Sequence, residues 1–230
     1  MGFGVEGDAP AHSVRPWIEG VVVRVTKVLL MSALAMAFSA GPAAAAATVT
    51  RTTFHGTSAE AVWRQGGPSF FTETYVNITK MPNGQQLSVG QITENYDSAG
   101  AFTGAVGTSA RVTTGFSYTI DASQLSSASA TGSDLPATTC NYDTNYDLIG
   151  CVDSTIDVNA SWTGQGDLIR GTSHHHDQTG GIVVTAQIQG VFRDATASGV
   201  VGGITLTPGD LFFADISRVV SGETVICIGC

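Results

Sequence analysis

Residues 152–162 read VDSTIDVNASW, and this stretch decides the fold. Every second position is apolar or small: Val152, Ser154, Ile156, Val158, Ala160 and Trp162. The positions between them are aspartate, threonine, asparagine or serine. A strict period of two predicts a strand with one face in a core and the other in water, because a helix would spread the carboxylates around its whole circumference.

The segments on either side of this stretch have the same β character. Runs rich in threonine, valine and aromatic residues are separated by glycine, proline and asparagine, and apolar residues do not recur at helical spacing after residue 48. Residues 70–81 and 85–97 flank Pro82-Asn83-Gly84, which is a hairpin signal. The pattern predicts an all-β fold, an antiparallel β-sandwich or flattened barrel of about a dozen short strands.

The N-terminal residues predict export. Arg24 and Lys27 precede an apolar run at residues 28–38, and an alanine-rich stretch at 43–47 offers cleavage sites. A basic segment, a short apolar segment and small residues together are typical of a secretory signal peptide. We therefore expect residues 1–47 to be an extension plus signal peptide and residues 48–230 to be a single all-β domain, secreted and not membrane-bound after cleavage.

The charge balance argues against two classes of partner. The chain has 10 basic and 19 acidic residues and a formal net charge of −9. An acidic surface repels phosphate backbones and anionic lipid headgroups. We therefore expect neither nucleic acid nor membrane as a partner.

The four cysteines, Cys140, Cys151, Cys227 and Cys230, predict disulfide bonds. An even number of cysteines in an exported chain favours such bonds, and four cysteines allow three connectivities. We favour Cys140–Cys151 and Cys227–Cys230. A four-cysteine zinc site does not fit, because the first two cysteines are too far apart in the sequence for zinc-ligand spacing.

The loop between the first two cysteines is the predicted ligand-binding site. The tripeptide Asn-Tyr-Asp occurs at residues 95–97, 141–143 and 145–147. Exposed tyrosines among hydrogen-bonding groups suit recognition of an extracellular glycan or protein. The predicted binding residues are Tyr142, Asp143, Asn145, Tyr146 and Asp147.

Two metal sites are also conceivable from spacing. Asp143, Asn145 and Asp147 place oxygen ligands at alternate positions, as in the first part of a calcium loop. His174 and His176 would share one face of a strand and could bind zinc or copper with a third ligand. The competing interpretation of both motifs is a solvated polar turn.

Glu73 and Glu94 suggest an enzymatic alternative. If Asn83-Gly84 forms a two-residue turn, the two glutamates lie directly opposite each other, near the spacing of a retaining glycosidase. If the turn is one residue longer with a glycine bulge, they face opposite ways. We therefore expect a secreted, non-enzymatic binding protein, with a glycosidase-like hydrolase using these two glutamates as the alternative.

Overall fold

The computed structural model describes residues 48–179 and 182–228, which form eleven strands and a 3-10 turn at Pro208–Asp210. The strands are β1 (Thr48–Gly67), β2 (Phe70–Met81), β3 (Gly84–Tyr96), β4 (Phe102–Val112), β5 (Phe116–Ile120), β6 (Ser127–Tyr142), β7 (Leu148–Gly164), β8 (Ile169–Thr179), β9 (Ile182–Val201), β10 (Ile204–Leu206) and β11 (Leu211–Ile228). The predicted signal peptide and Cys230 lie outside the described residues.

All described strands belong to one sheet, and the strand pairs whose register is resolved are antiparallel. Pairing follows the order β9-β11-β1-β2-β3-β4-β6, and β7 pairs with both β6 and β9. Hydrogen bonding therefore runs in a closed circuit of eight strands. β5 pairs with β6, while β8 and β10 pair with β9. The predicted all-β antiparallel fold is confirmed.

Several strands are longer than predicted. The sequence predicts short strands, but β1 continues through Gly56 and has 20 residues, and β9 has the same length. β1 pairs with β2 from Thr57 to Gly67, directly after this glycine. Among the described residues, no helix is long and apolar enough to cross a membrane.

The chain divides into two compact units. The described part of the smaller unit consists of residues 48–51, 173–179, 182–187 and 224–228, and its buried side chains include Val184, Ala186 and Cys227. The larger unit consists of residues 52–172 and 188–223.

The core of the larger unit is built from alternate residues of its strands. Ile156, Val158, Ala160 and Trp162 on β7 are buried, as the period of two predicts. Val152 is the exception, because it is 62% exposed. Its strand neighbour is Thr139 rather than an apolar side chain, and Thr139 and Ser154 are hydrogen-bonded at 2.9 Å. The apolar core therefore does not extend to this end of β7.

Two buried tryptophans connect distant strands. The indole N–H of Trp162 on β7 donates to the carbonyl of Glu60 on β1 at 2.9 Å. The indole N–H of Trp63 on β1 donates to the carbonyl of Ala197 on β9 at 3.2 Å. Trp162 is flanked across both neighbouring strands by alanines, so its large ring fits against small partners. The two rings thus contribute both apolar area and satisfied polar groups to the core.

Candidate functional site

Two neighbouring hairpin ends share a sequence pattern. Residues 95–104 read NYDSAGAFTG and residues 141–150 read NYDTNYDLIG. The first segment connects β3 to β4, and the second connects β6 to β7. β4 pairs with β6, with Ala105 opposite Tyr142, so the two hairpin ends lie side by side. Both hairpins have a register shift at the Asn-Tyr step of the pattern.

An aspartate organises each of the two turns. Asp97 Oδ1 accepts the backbone N–H groups two and four residues further on, at 2.8 and 2.9 Å. Asp143 Oδ1 accepts the equivalent pair of N–H groups at the same two distances. Aspartate favours turns because its short side chain can replace a backbone acceptor in this way. The tripeptide that the sequence shows as a repeat is therefore a repeated turn structure.

The two turns differ at the residue with a left-handed backbone. In the first turn this residue is Gly100, with φ of 80°. In the second it is Tyr146, with φ of 64°. A non-glycine residue in this region costs about 1–3 kcal/mol and persists only where its surroundings hold it. Tyr146 is therefore held in a strained position that directs its ring toward the first hairpin.

The ring of Tyr146 completes a cluster around one carboxylate. The hydroxyl of Tyr146 donates to Glu94 Oε1, and the hydroxyl of Tyr96 donates to Glu94 Oε2 at 2.5 Å. Tyr146 stacks on Phe102 with the ring centroids 4.4 Å apart and the planes 7° from parallel. Phe102 also meets Tyr96 edge to face at 6.0 Å. We call Glu94, Tyr96, Phe102 and Tyr146 the tyrosine–glutamate cluster.

Hydrogen bonding sets the protonation states within the cluster. The hydroxyl of Tyr146, and then that of Tyr96, holds the pKa of Glu94 below its ordinary value. The same hydrogen bond to Glu94 raises the pKa of Tyr146 to about 12. Glu94 also raises the pKa of Tyr96. At neutral pH the cluster thus contains one charged carboxylate between two neutral phenols.

The sheet beneath the cluster is buried, whereas one of its aromatic rings is exposed. Ala105 lies opposite Glu94 on β4 and is only 3% exposed, whereas Tyr146 is 47% exposed. One face of the Tyr146 ring contacts Phe102. The cluster therefore offers an aromatic surface with ionic and hydroxyl groups at its edge.

A disulfide closes the hairpin that carries Tyr146. Cys140 and Cys151 are directly opposite each other on β6 and β7, with their Cα atoms 4.1 Å apart, which confirms the predicted bond. Cys227 is also disulfide-bonded, and its predicted partner lies outside the described residues. A crosslink at the base of a turn reduces the number of conformations that the unfolded hairpin can adopt.

The predicted loop residues do not all lie in the cluster. Tyr142 is half-buried on β6, and its ring lies close to Gly107, 3.5 Å from where a Cβ at Gly107 would be. Asp143 serves the turn through Oδ1. Asn145 and Asp147 are exposed in the turn and donate their backbone N–H groups to Asp143. Of the five predicted binding residues, only Tyr146 joins the cluster.

The two metal hypotheses stay predictions. Among residues 48–179 and 182–228, no group of three or more histidine, cysteine, aspartate or glutamate side chains could hold a metal ion. In the smaller unit, His174 and His176 are both exposed at alternate positions of β8, as predicted for a strand. His176 Nδ1 lies 3.3 Å from the hydroxyl of Thr185.

Both registers expected for Glu73 and Glu94 are wrong. Met81 pairs with Gly84, so the turn consists of Pro82 and Asn83. This two-residue turn lies one residue earlier than the expected turn at Asn83-Gly84. Glu73 is consequently opposite Ile92, and the two glutamates are diagonal neighbours on one face of the sheet. They also have different partners, since Arg64 Nε donates to Glu73 Oε2 at 2.8 Å. Proline cannot donate to the ladder, which places it in the turn itself.

Sequence reasoning missed two members of the cluster as site residues. Tyr96 belongs to the first copy of the Asn-Tyr-Asp tripeptide, and Phe102 follows the same turn. The signal that could have found them is the alignment of residues 95–104 with 141–150, which equates the two hairpin ends. That alignment does not by itself bring Tyr146 to Glu94, because the contact requires β4 and β6 to be neighbours.

Two other carboxylates, Glu60 on β1 and Asp215 on β11, are almost completely buried. Their side chains are 6% and 7% exposed. Burial, and then the charge of Asp215, raises the pKa of Glu60 to about 8, and the amide of Asn77, 3.3 Å from Glu60 Oε2, only partly offsets this. Burial and the charge of Asp194 raise the pKa of Asp215 to about 7. Strongly shifted groups are found in functional sites and in structural networks alike.

Comparison with protein-family models, curated proteins and solved structures gives no significant match.

Proposed function

We propose that this protein is an exported, non-enzymatic binding module that recognises carbohydrate through the tyrosine–glutamate cluster. The observation that carries the proposal is the strained Tyr146, whose ring is stacked on Phe102 and tied to Glu94 while remaining 47% exposed. Backbone strain persists where the surrounding structure maintains it and often accompanies function. A rigid exposed aromatic ring loses little conformational entropy when a ligand covers it.

The chemistry of the cluster supports a sugar as the ligand. A sugar ring has a face of C–H groups that packs on an aromatic surface, and hydroxyl groups at its rim that need hydrogen-bond partners. Tyr146 supplies the aromatic surface. Glu94 and the hydroxyl oxygens of Tyr96 and Tyr146 supply hydrogen-bond acceptors at its edge for the hydroxyl groups of the sugar. Such a combination of aromatic area and a few placed polar groups is characteristic of small-ligand sites.

Two observations support export. The Cys140–Cys151 bond is of a kind that persists in oxidising compartments. The N-terminal sequence has the pattern of a signal peptide. Finding the secreted protein in culture medium with a new N-terminus between residues 45 and 48 tests this part of the proposal.

Binding is tested with cello-, xylo-, malto-, manno- and chito-oligosaccharides, titrated into the protein by isothermal calorimetry and by NMR. We expect one class to bind saturably and Tyr146→Ala to weaken that binding at least about tenfold. Tyr146→Phe keeps the ring but removes the hydroxyl, so it should fall between wild type and Tyr146→Ala.

The matched control is Phe212→Ala. Phe212 is an exposed aromatic residue outside the cluster, 43% exposed and packed under the guanidinium of Arg64 at 3.6 Å. This variant should bind as the wild type does. Failure of every oligosaccharide class to bind, or equal losses in Phe212→Ala and Tyr146→Ala, would contradict the proposal.

A further inference from the structure

A concave surface outside the tyrosine–glutamate cluster is lined by residues of β8, β9 and β11 in the larger unit. Its volume is about 570 Å³. Its lining residues are Arg170, Gly171, Thr172, Gln189, Gly190, Val191, Arg218 and Val220. We call it the arginine groove. A volume of this size suits a small molecule.

The charge of the groove is opposite to that of the chain. Among the described residues that line it, two are arginines and none is acidic. The whole chain has only 10 basic residues against 19 acidic ones, with a net charge of −9. Two guanidinium groups in one groove of such a chain create a local positive potential, which attracts anions to this site.

The two arginines are available to a ligand in different ways. Arg218 Nη1 donates to the carbonyl of Ala122 at 3.0 Å, which fixes the direction of its guanidinium and leaves other N–H groups to donate. Arg170 is exposed on β8 and has no hydrogen bond or ion pair to another described residue. Thr172 and Gln189 add a hydroxyl and an amide to the lining.

Two of the residues that line the groove are glycines. A Cβ at Gly190 would lie 2.8 Å from the carbonyl oxygen of Arg218, so only glycine allows β9 and β11 to approach this closely. A Cβ at Gly171 would meet nothing within 4 Å. The space beside Gly171 is therefore open.

We infer that the arginine groove binds a small ligand through an oxyanion group, a carboxylate or a sulfate. Arg170 and Arg218 donate charge-assisted hydrogen bonds to its oxygens, in the forked geometry that guanidinium groups favour. Thr172 and Gln189 contact the remainder of the ligand. The inference is independent of the tyrosine–glutamate cluster, because the two sites share no residue.

The test is a titration of the full chain with sodium sulfate, citrate and glucuronate at constant ionic strength, followed by NMR and calorimetry. We expect saturable binding of at least one anion, with shifts at Thr172 and Gln189. The anion that binds best shows which oxyanion the groove prefers. Sulfate tests the sulfate group, and citrate and glucuronate test the carboxylate group. No saturable binding of any of the three overturns the inference.

Two variants separate specific binding from general charge effects. Arg170→Gln should weaken binding at least about tenfold and leave the melting temperature unchanged, since Arg170 is exposed. Arg111→Gln is the matched control, because it removes one exposed positive charge from β4, outside the groove. Equal weakening by Arg111→Gln and Arg170→Gln overturns the inference.

Discussion

Replacing Glu60 by glutamine should make the protein more stable at alkaline pH and leave it nearly unchanged in acid. Glu60 is 6% exposed, and its Oε1 atom has no hydrogen-bond partner among the described residues. Burial, and then the charge of Asp215, raises its pKa from 4.5 to about 8. Glutamine has nearly the same shape, can still accept the hydrogen bond of Asn77, and never carries the charge.

The size and direction of the effect follow from proton linkage. A carboxyl group whose pKa is raised by folding contributes stability that is complete below about pH 4.5 and is lost as the pH rises to about 8. A rise from 4.5 to about 8 corresponds to about 5 kcal/mol between the two limits. The free energy of unfolding of the wild type should therefore fall over this range, and Asp215, with its pKa raised to about 7, adds to the fall.

Urea denaturation at pH 5 and pH 9 measures the difference. At pH 5 the two proteins should agree within about 1 kcal/mol, and at pH 9 Glu60→Gln should be more stable by about 3–5 kcal/mol. Glu73→Gln is the matched control, since Glu73 is partly exposed and paired with Arg64. It should change stability by less than about 1 kcal/mol at both pH values. Parallel pH profiles for the wild type and Glu60→Gln would refute the argument from burial.

Three further outcomes follow from the fold. Replacing both Cys140 and Cys151 by serine should lower the melting temperature by about 6–12 °C in calorimetry, and an unchanged value would show that the bond adds no stability. Tyr146→Gly should be about 1 kcal/mol more stable to urea than Tyr146→Ala, because glycine relieves the strain at φ of 64°; the reverse order would contradict that strain. Trp162→Phe should cost about 1–3 kcal/mol, since it leaves the buried carbonyl of Glu60 without its donor, and a neutral effect would argue against that hydrogen bond.

The hairpin between β2 and β3 shows how far a local signal reaches. Pro82-Asn83-Gly84 correctly predicts a turn between two strands. The register around it depends on which two residues occupy the turn, and a shift of one residue moves every side chain to the other face. A turn at Pro82-Asn83 instead of Asn83-Gly84 moves the partner of Glu73 from Glu94 to Ile92, which keeps both glutamates on one face. The register with a glycine bulge would instead have put them on opposite faces. The sequence pattern thus predicts that the two strands exist. Their register depends on which residues occupy the turn, and the pattern does not predict this.

The candidate site shows a second limit. The cysteine spacing predicts the disulfide that closes the hairpin carrying Tyr146, and the repeated Asn-Tyr-Asp tripeptide marks this hairpin end and its neighbour. They do not predict that Tyr142 lies half-buried on its strand while Tyr146 reaches Glu94, 52 residues away in the sequence. That contact depends on the left-handed backbone of Tyr146, a conformation that tyrosine rarely adopts and that sequence alone does not suggest.

The sequence by itself determined the β character of residues 152–162 and the hairpin at Pro82, and it favoured the bond between Cys140 and Cys151 over the other pairings. Each of these depends on interactions within one strand or one hairpin, so a local pattern contains enough information. Only the tertiary structure decided that β7 closes the circuit with β9, that Glu60 is buried, and that Tyr146 meets Glu94. Those outcomes depend on which strands become neighbours, and that choice minimises the free energy of the whole sheet rather than of any one segment.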